Sequence, residues 1–132
     1  FVVYDNPLQI FSGNPSQGYL EPEFMELLGS LPTTWDTTII LEATVGDNIV
    51  NARRKGHDWY IAGMCAGEPK DFDLDLSFLE EGNYAASICS DGVNADRNAM
   101  DYVIKNSTIH KNETVHLHLA PNGGFLMRLR KE

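Results

Sequence analysis

Residues 71–79 read DFDLDLSFL. Successive side chains of an extended chain point to opposite faces, so Phe72, Leu74, Leu76 and Phe78 share one side. Asp71, Asp73, Asp75 and Ser77 share the other. That alternation predicts a strand with one face on a core and one in water, as antiparallel sheets have. Seven further runs carry strand-like patterning: TTIILEATV (37–45), NIVNARRK (48–55), HDWYIAGM (57–64), NYAASICS (83–90), DYVIKNSTI (101–109), ETVHLHLA (113–120) and GFLMRLR (124–130). Turn formers such as GD, AGEPK, EEGN, KNE and PNGG stand between them. Eight short strands with no helix among them predict a mainly β protein, an antiparallel sandwich or barrel, and of the two we expect a Greek-key-like sandwich of about eight strands.

WYIAGM, residues 59–64, breaks the rule of one wet face. Trp59 and Ile61 fall on one side, and Tyr60, Ala62 and Met64 on the other. A strand apolar on both sides of an antiparallel sheet needs a second covering layer. One face should therefore pack inside the sandwich while the other meets a neighbouring domain. Trp35, Trp59, Tyr60 and Met64 are the residues expected at that interdomain contact.

Ahead of the strands the pattern differs. Phe1 to Tyr4 reads as a short buried strand closed by Asp5, Asn6 and Pro7, and SGNPSQG (12–18) as a loop. EPEFMELLGSLP (21–32) predicts one helix, with Pro22 in its first turn, Phe24, Leu27 and Leu28 at helical spacing, and Gly29 and Pro32 ending it. A strand, a loop and one helix cannot enclose a core alone. The boundary falls around Leu31 to Asp36, dividing 1–34 from 35–132. A chain that opens in mid-strand, with neither Met nor a signal-like segment, reads as cut from something longer.

Composition narrows the function. The 132 residues suffice for one domain with its own core. A net charge of −9 argues against nucleic acid, whose phosphates demand a basic face. No apolar run reaches the roughly 20 residues of a membrane span. Cys65 and Cys89 make neither a disulfide framework nor a metal spacing, and read as two buried thiols.

Few residues look like a site. SDGVNADRNAMDY (90–102) is the most acidic loop, but its Asp91, Asn94, Asp96 and Asp101 do not follow the ligand spacing of a calcium loop, and Gly92 comes directly after the first. Asp and Asn bond nearby backbone amides, so such a loop caps itself. Arg97 could pair with a neighbouring aspartate. His116 and His118 leave one face of one strand and could form half of a zinc or copper site, with His110 one turn upstream. Without a visible third ligand they read as a solvated pair. The row Asp71, Asp73, Asp75 reads as a solvated face, which Arg128 and Arg130 could neutralise if their strands were adjacent. Trp35, Trp59, Tyr60, Tyr84 and Tyr102 could offer a platform for sugar rings, but aromatics are usually spent on core or interface. No nucleophile elbow, HExxH or phosphate-binding glycine loop occurs.

PTTWDTTIILEATVGDNIVNARRKGHDWYIAGM (32–64), DLSFLEEGNYAASICSDGVNADRNAMDY (75–102) and LAPNGGFLMRLR (119–130) resemble the C-terminal end of glycoside hydrolase family 97. These are bacterial α-glucosidases and α-galactosidases, most familiar from gut Bacteroidetes. PTTWD, ARRKGHDWYIAGM and DGVNADRNAMDY are the most specific pieces. The resemblance implies a calcium-dependent (β/α)8 barrel upstream, of which Phe1 to Tyr4 is the last strand and EPEFMELLGSL the last helix. Asp5, Asn6 and Gln9 would then stand near the rim of the active site, since barrel sites form at the C-terminal ends of the strands. The family's catalytic and calcium-binding glutamates lie upstream of Phe1. No catalytic, cofactor-binding or metal residue is thus carried onto this chain, and calcium is implied only for the parent barrel. The loop Asp91, Gly92, Asn94, Asp96, Arg97, Asp101, Tyr102 becomes a structural signature of the sandwich. The expected function is a non-catalytic accessory domain that packs on the barrel and stabilises it, in a periplasmic or secreted bacterial enzyme acting on an oligosaccharide. The alternative is an independent carbohydrate-binding module.

Overall fold

The structure, a computed structural model, describes all residues from Phe1 to Glu132. All eight expected strands form: β1 Thr37–Thr44, β2 Asn48–Lys55, β3 Asp58–Cys65, β4 Lys70–Asp75, β5 Asn83–Asp91, β6 Tyr102–His110, β7 Thr114–Leu119 and β8 Gly124–Lys131. They make a six-stranded sheet in the order β1-β2-β3-β8-β5-β6 and a two-stranded sheet of β4 and β7. Every pairing is antiparallel. The chain leaves the large sheet after β3, returns for β5 and β6, leaves again for β7, and closes by inserting β8 between β3 and β5.

The core lies between the sheets. Val50, Ala52, Trp59 and Ile61 face Phe72, Leu74, Leu117 and Leu119 across it, with Tyr84, Met127 and Leu129 fully enclosed. Trp59 stacks edge-on to Phe78 at 4.8 Å. Phe125 lies over Gly63 so closely that a Cβ there would come within 2.5 Å of its ring, so the strand must carry glycine at this crossing. The expectation of Trp59 at the interdomain contact is corrected here: its parity with Ile61 turns it inward.

Three other expectations change. First, β4 stops at Asp75, before the alternation DFDLDLSFL runs out. The Asp75 carboxylate accepts the Ser77 N–H at 2.8 Å and its hydroxyl at 3.0 Å, and the Leu79 N–H donates back to the Leu76 carbonyl. This turn sends both Leu76 and Leu79 into the core. Second, SGNPSQG is not all loop. A short helix α1, Pro15–Leu20, starts there, with the Asn14 side-chain oxygen Oδ1 accepting the Ser16 N–H and Pro15 in its first turn. The expected helix follows as α2, Pro22–Gly29.

Third, Phe1 to Tyr4 is not a strand. No neighbouring strand stands beside it to form a ladder. Its carbonyls are taken instead by side chains of β2: Asn51 donates to Val2 and Val3, and Arg53 donates to Val3.

Candidate docking face and its loops

Alternation on β2, β3 and β8 that sends Val50, Ile61 and Met127 inward sends Asn51, Arg53, Tyr60, Ala62, Leu126 and Arg128 to the outer face of the large sheet. Val2, Val3, Asp5, Ser30, Leu31 and Trp35 lie against this face. Val2 is buried on Tyr60 and Ala62, with Val3, Leu31, Trp35 and Leu126 packed around them. Trp35 meets Tyr60 edge-on at 5.3 Å, and the Arg53 guanidinium stands 5.7 Å over the Trp35 ring. The second apolar layer that the WYIAGM pattern demands is therefore present. Trp35 and Tyr60 supply its aromatic contact, and burial pushes the Tyr60 phenol up from its ordinary pKa.

Polar groups fix this layer in register. Arg53, only 3% exposed, pairs with Asp5 at 3.0 Å while it also holds the Val3 carbonyl. Removing Arg53 would leave the exposed Asp5 carboxylate to water and the Val3 carbonyl to Asn51 alone. Asn6 accepts the Leu8 N–H at 3.0 Å, and Gln9 donates to the Phe1 carbonyl at 2.6 Å. Asp5, Asn6 and Gln9 thus shape one turn over the sheet. At the other end of the face, Arg128 donates to Ser30 at 2.7 Å and Phe24 packs on Tyr102 at 5.3 Å. The Tyr102 hydroxyl donates to the Glu21 carboxylate, a bond that raises its pKa to about 12.

Part of the face stays open. Tyr4, Ala43, Val45, Ile49 and Met64 line a groove of about 490 Å³, with Asn48 among its other lining residues. A second hollow of about 370 Å³ lies among Phe24, Met100, Tyr102 and Leu126. Leu8, Ile10, Phe11, Tyr19 and Leu20, between the two parts of the N-terminal segment that touch the sheet, are also exposed. An apolar surface of this extent on a small chain marks a contact with another body.

The acidic loop is built from its own backbone. Asp101 accepts the Asn94 N–H at 2.7 Å, and its own carbonyl accepts Gly92 N–H at 2.8 Å. A Cβ on Gly92 would fall 2.6 Å from the Asp101 carboxylate. Asp91 reaches across to the β7–β8 turn and accepts the Ala120 N–H at 2.8 Å. Asp96 pairs with its exposed neighbour Arg97 at 3.5 Å. The Asp91 and Asp101 carboxylates are engaged by backbone donors, so their acidity serves the loop's architecture.

The other candidates separate. Asp71 and Asp73 face His118 and His116 across the β4–β7 pair, and Arg128 and Arg130 lie on the far sheet, so the suggested neutralisation by arginine does not occur. Of the five aromatics considered for a sugar platform, Tyr84 and Trp59 are in the core and Tyr60 lies under Trp35. Cys65 and Cys89 are free. Cys65 belongs to the inner core, whereas Cys89 stands in register with outward Leu126, so the sheet separates them. Burial raises the Cys89 thiol to about 11. Nowhere do three His, Cys, Asp or Glu side chains converge. Sequence reasoning missed the roles of Asn51 and Arg53. The signal was available: two large polar residues at alternate positions of NIVNARRK, facing away from Val50 and Ala52.

A sandwich with a ready-made contact face is the architecture of an accessory domain. Its family follows from comparison. The family described as Glycosyl-hydrolase 97 C-terminal, oligomerisation matches residues 34–130, and the chain belongs to it. A retaining alpha-galactosidase of Bacteroides thetaiotaomicron is 38% identical over 130 residues, 98% of this chain and 20% of that protein. A probable retaining alpha-galactosidase of Streptomyces bingchenggensis is 27% identical, covering 94% of this chain and 18% of that one. Among solved structures, a Glycoside Hydrolase Family 97 enzyme from Pseudoalteromonas sp. strain K8 in complex with acarbose superposes with a TM-score of 0.86. It is 30% identical and covers 90% of this chain and 20% of that one. The chain therefore spans about a fifth of the length of these relatives.

Proposed function

We propose that this chain is the non-catalytic prop of an α-galactoside-hydrolysing enzyme, seated on the catalytic barrel of the same protein through the outer face of its large sheet. The single observation that carries this is the two-layered outer face. Its inner part is closed by Val2, Val3, Leu31 and Trp35, and its rim, from Tyr4 and Val45 to Met64, is apolar and open. The rest of the longer protein is the natural occupant, because the relatives are about five times this chain's length. Galactose rather than glucose is favoured by the 38% identity to the retaining alpha-galactosidase. Cleavage and any calcium chemistry belong to the barrel. Association of copies, which the family description names, would use the same domain without drawing on a catalytic group.

Thermal melting of the full-length enzyme with and without residues 35–132 tests the reading. A prop predicts a lower midpoint for the truncated enzyme; an unchanged midpoint contradicts it. Titrating the 132-residue chain with melibiose or maltooligosaccharides addresses the alternative, and saturable binding there would favour a carbohydrate-binding module.

A further inference from the structure

The face on the opposite side of the sandwich is polar and carries a different arrangement. His116 and His118 leave β7 outward, and each meets the residue directly across the strand pair: His116 meets Asp73, and His118 meets Asp71 at 2.6 Å. In both pairs the contact is made by imidazole Nδ1. An ionised carboxylate only accepts, so Nδ1 carries the hydrogen and the lone pair of the neutral ring sits on Nε2. Both rings are open to solvent, their side chains 77% and 67% exposed. A carboxylate on one nitrogen and a free lone pair on the other is the arrangement that orients metal-ligating histidines.

We propose that His116 and His118 form a two-imidazole chelate for a divalent transition-metal ion of the zinc or copper class. Their Nε2 atoms are the ligands, Asp73 and Asp71 act as positioning residues, and water fills the remaining sites. Alternate residues of one strand stand about 6.6 Å apart along it, so both rings serve the same side of the sheet. The donor set selects the metal. Asp71 and Asp73 are committed to imidazoles, and Asp75 holds the Ser77 N–H and hydroxyl, which leaves no cage of free carboxylates for calcium or magnesium. Imidazole nitrogen suits zinc, copper and nickel. The three aspartates on the same face add a negative field that favours a dication.

Equilibrium dialysis of the 132-residue chain against zinc chloride and copper sulfate tests this. The expected result is saturable uptake of one ion per chain, abolished in the H116A/H118A double variant and unchanged in H110A. D71N and D73N should weaken it by about 10- to 100-fold, the usual effect of removing a carboxylate that orients a metal-bound histidine. Nitrogen-15 spectra of the imidazoles should show Nε2 of His116 and His118 shifting, and not those of His57 or His110. All these variants are on exposed positions, and circular dichroism verifies that the fold is kept. Absence of saturable uptake, uptake that survives in the double variant, or displacement by millimolar calcium would each overturn the proposal.

Discussion

Asp91 shows how much a single carboxylate decides in this chain. It ties the β5–β6 loop to the β7–β8 turn through the Ala120 N–H, and Gly123 is packed so tightly beside it that a Cβ would fall 1.9 Å from its oxygen. Asp91→Ala leaves that amide without its acceptor, an expected loss of about 1–3 kcal/mol in chemical denaturation. Gly123→Ala should also destabilise, because the same Cβ would lie 2.7 Å from the Ala120 carbonyl, which cannot step aside. Tyr102 gives a prediction in pH. Its folded pKa, about 12, lies above the unfolded value near 10. Its contribution is therefore complete below pH 10 and is lost as pH rises through about 12. In a phenolate absorbance titration, the difference between wild type and Tyr102→Phe should develop near pH 12; a difference centred near 10 would show the Glu21 bond to be absent. At this scale the sequence was partly legible. The loop's self-capping follows from Asp and Asn chemistry, but which amide Asp91 serves depends on a turn 29 residues away.

Among the elements, period-two patterning located every strand, because the sheet has a core face to enforce it. It failed where local hydrogen bonds compete with the pattern. The Asp75 turn ends β4 early, the Asn14 cap starts α1, and Asn51 and Arg53 take the carbonyls of Val2 and Val3 in a segment that bends at Val3 and Tyr4. Strand order was not legible, since nothing local says that β8 inserts between β3 and β5. The latch on residues 1–5 is testable. Arg53→Met removes both the Asp5 pair and the bond to Val3 while keeping an apolar stem. Amide hydrogen exchange of residues 2–6 should speed up in that variant, with β5 to β8 unaffected; equal exchange would show that packing of Val2 alone holds the segment. In the core, Trp59→Ala should cost about 3–5 kcal/mol, the usual range for deleting a buried aromatic.

Taken whole, the molecule has one face made for contact and one made for water. The contact face bears Trp35 and Tyr60 under the N-terminal segment and an open apolar rim beside them, while the opposite face bears the aspartates and histidines of β4 and β7. That division was legible from two stretches, WYIAGM and DFDLDLSFL. The relatives that the chain matches are about five times as long, which is the length the proposed seating draws on. The most direct measurement is hydrogen exchange on the rim, residues 43–49 and 62–66, in the full-length enzyme and in the 132-residue chain. Seating on the barrel predicts slower exchange at the rim in the full-length enzyme, with β4 and β7 the same in both. Equal rates at the rim would contradict it.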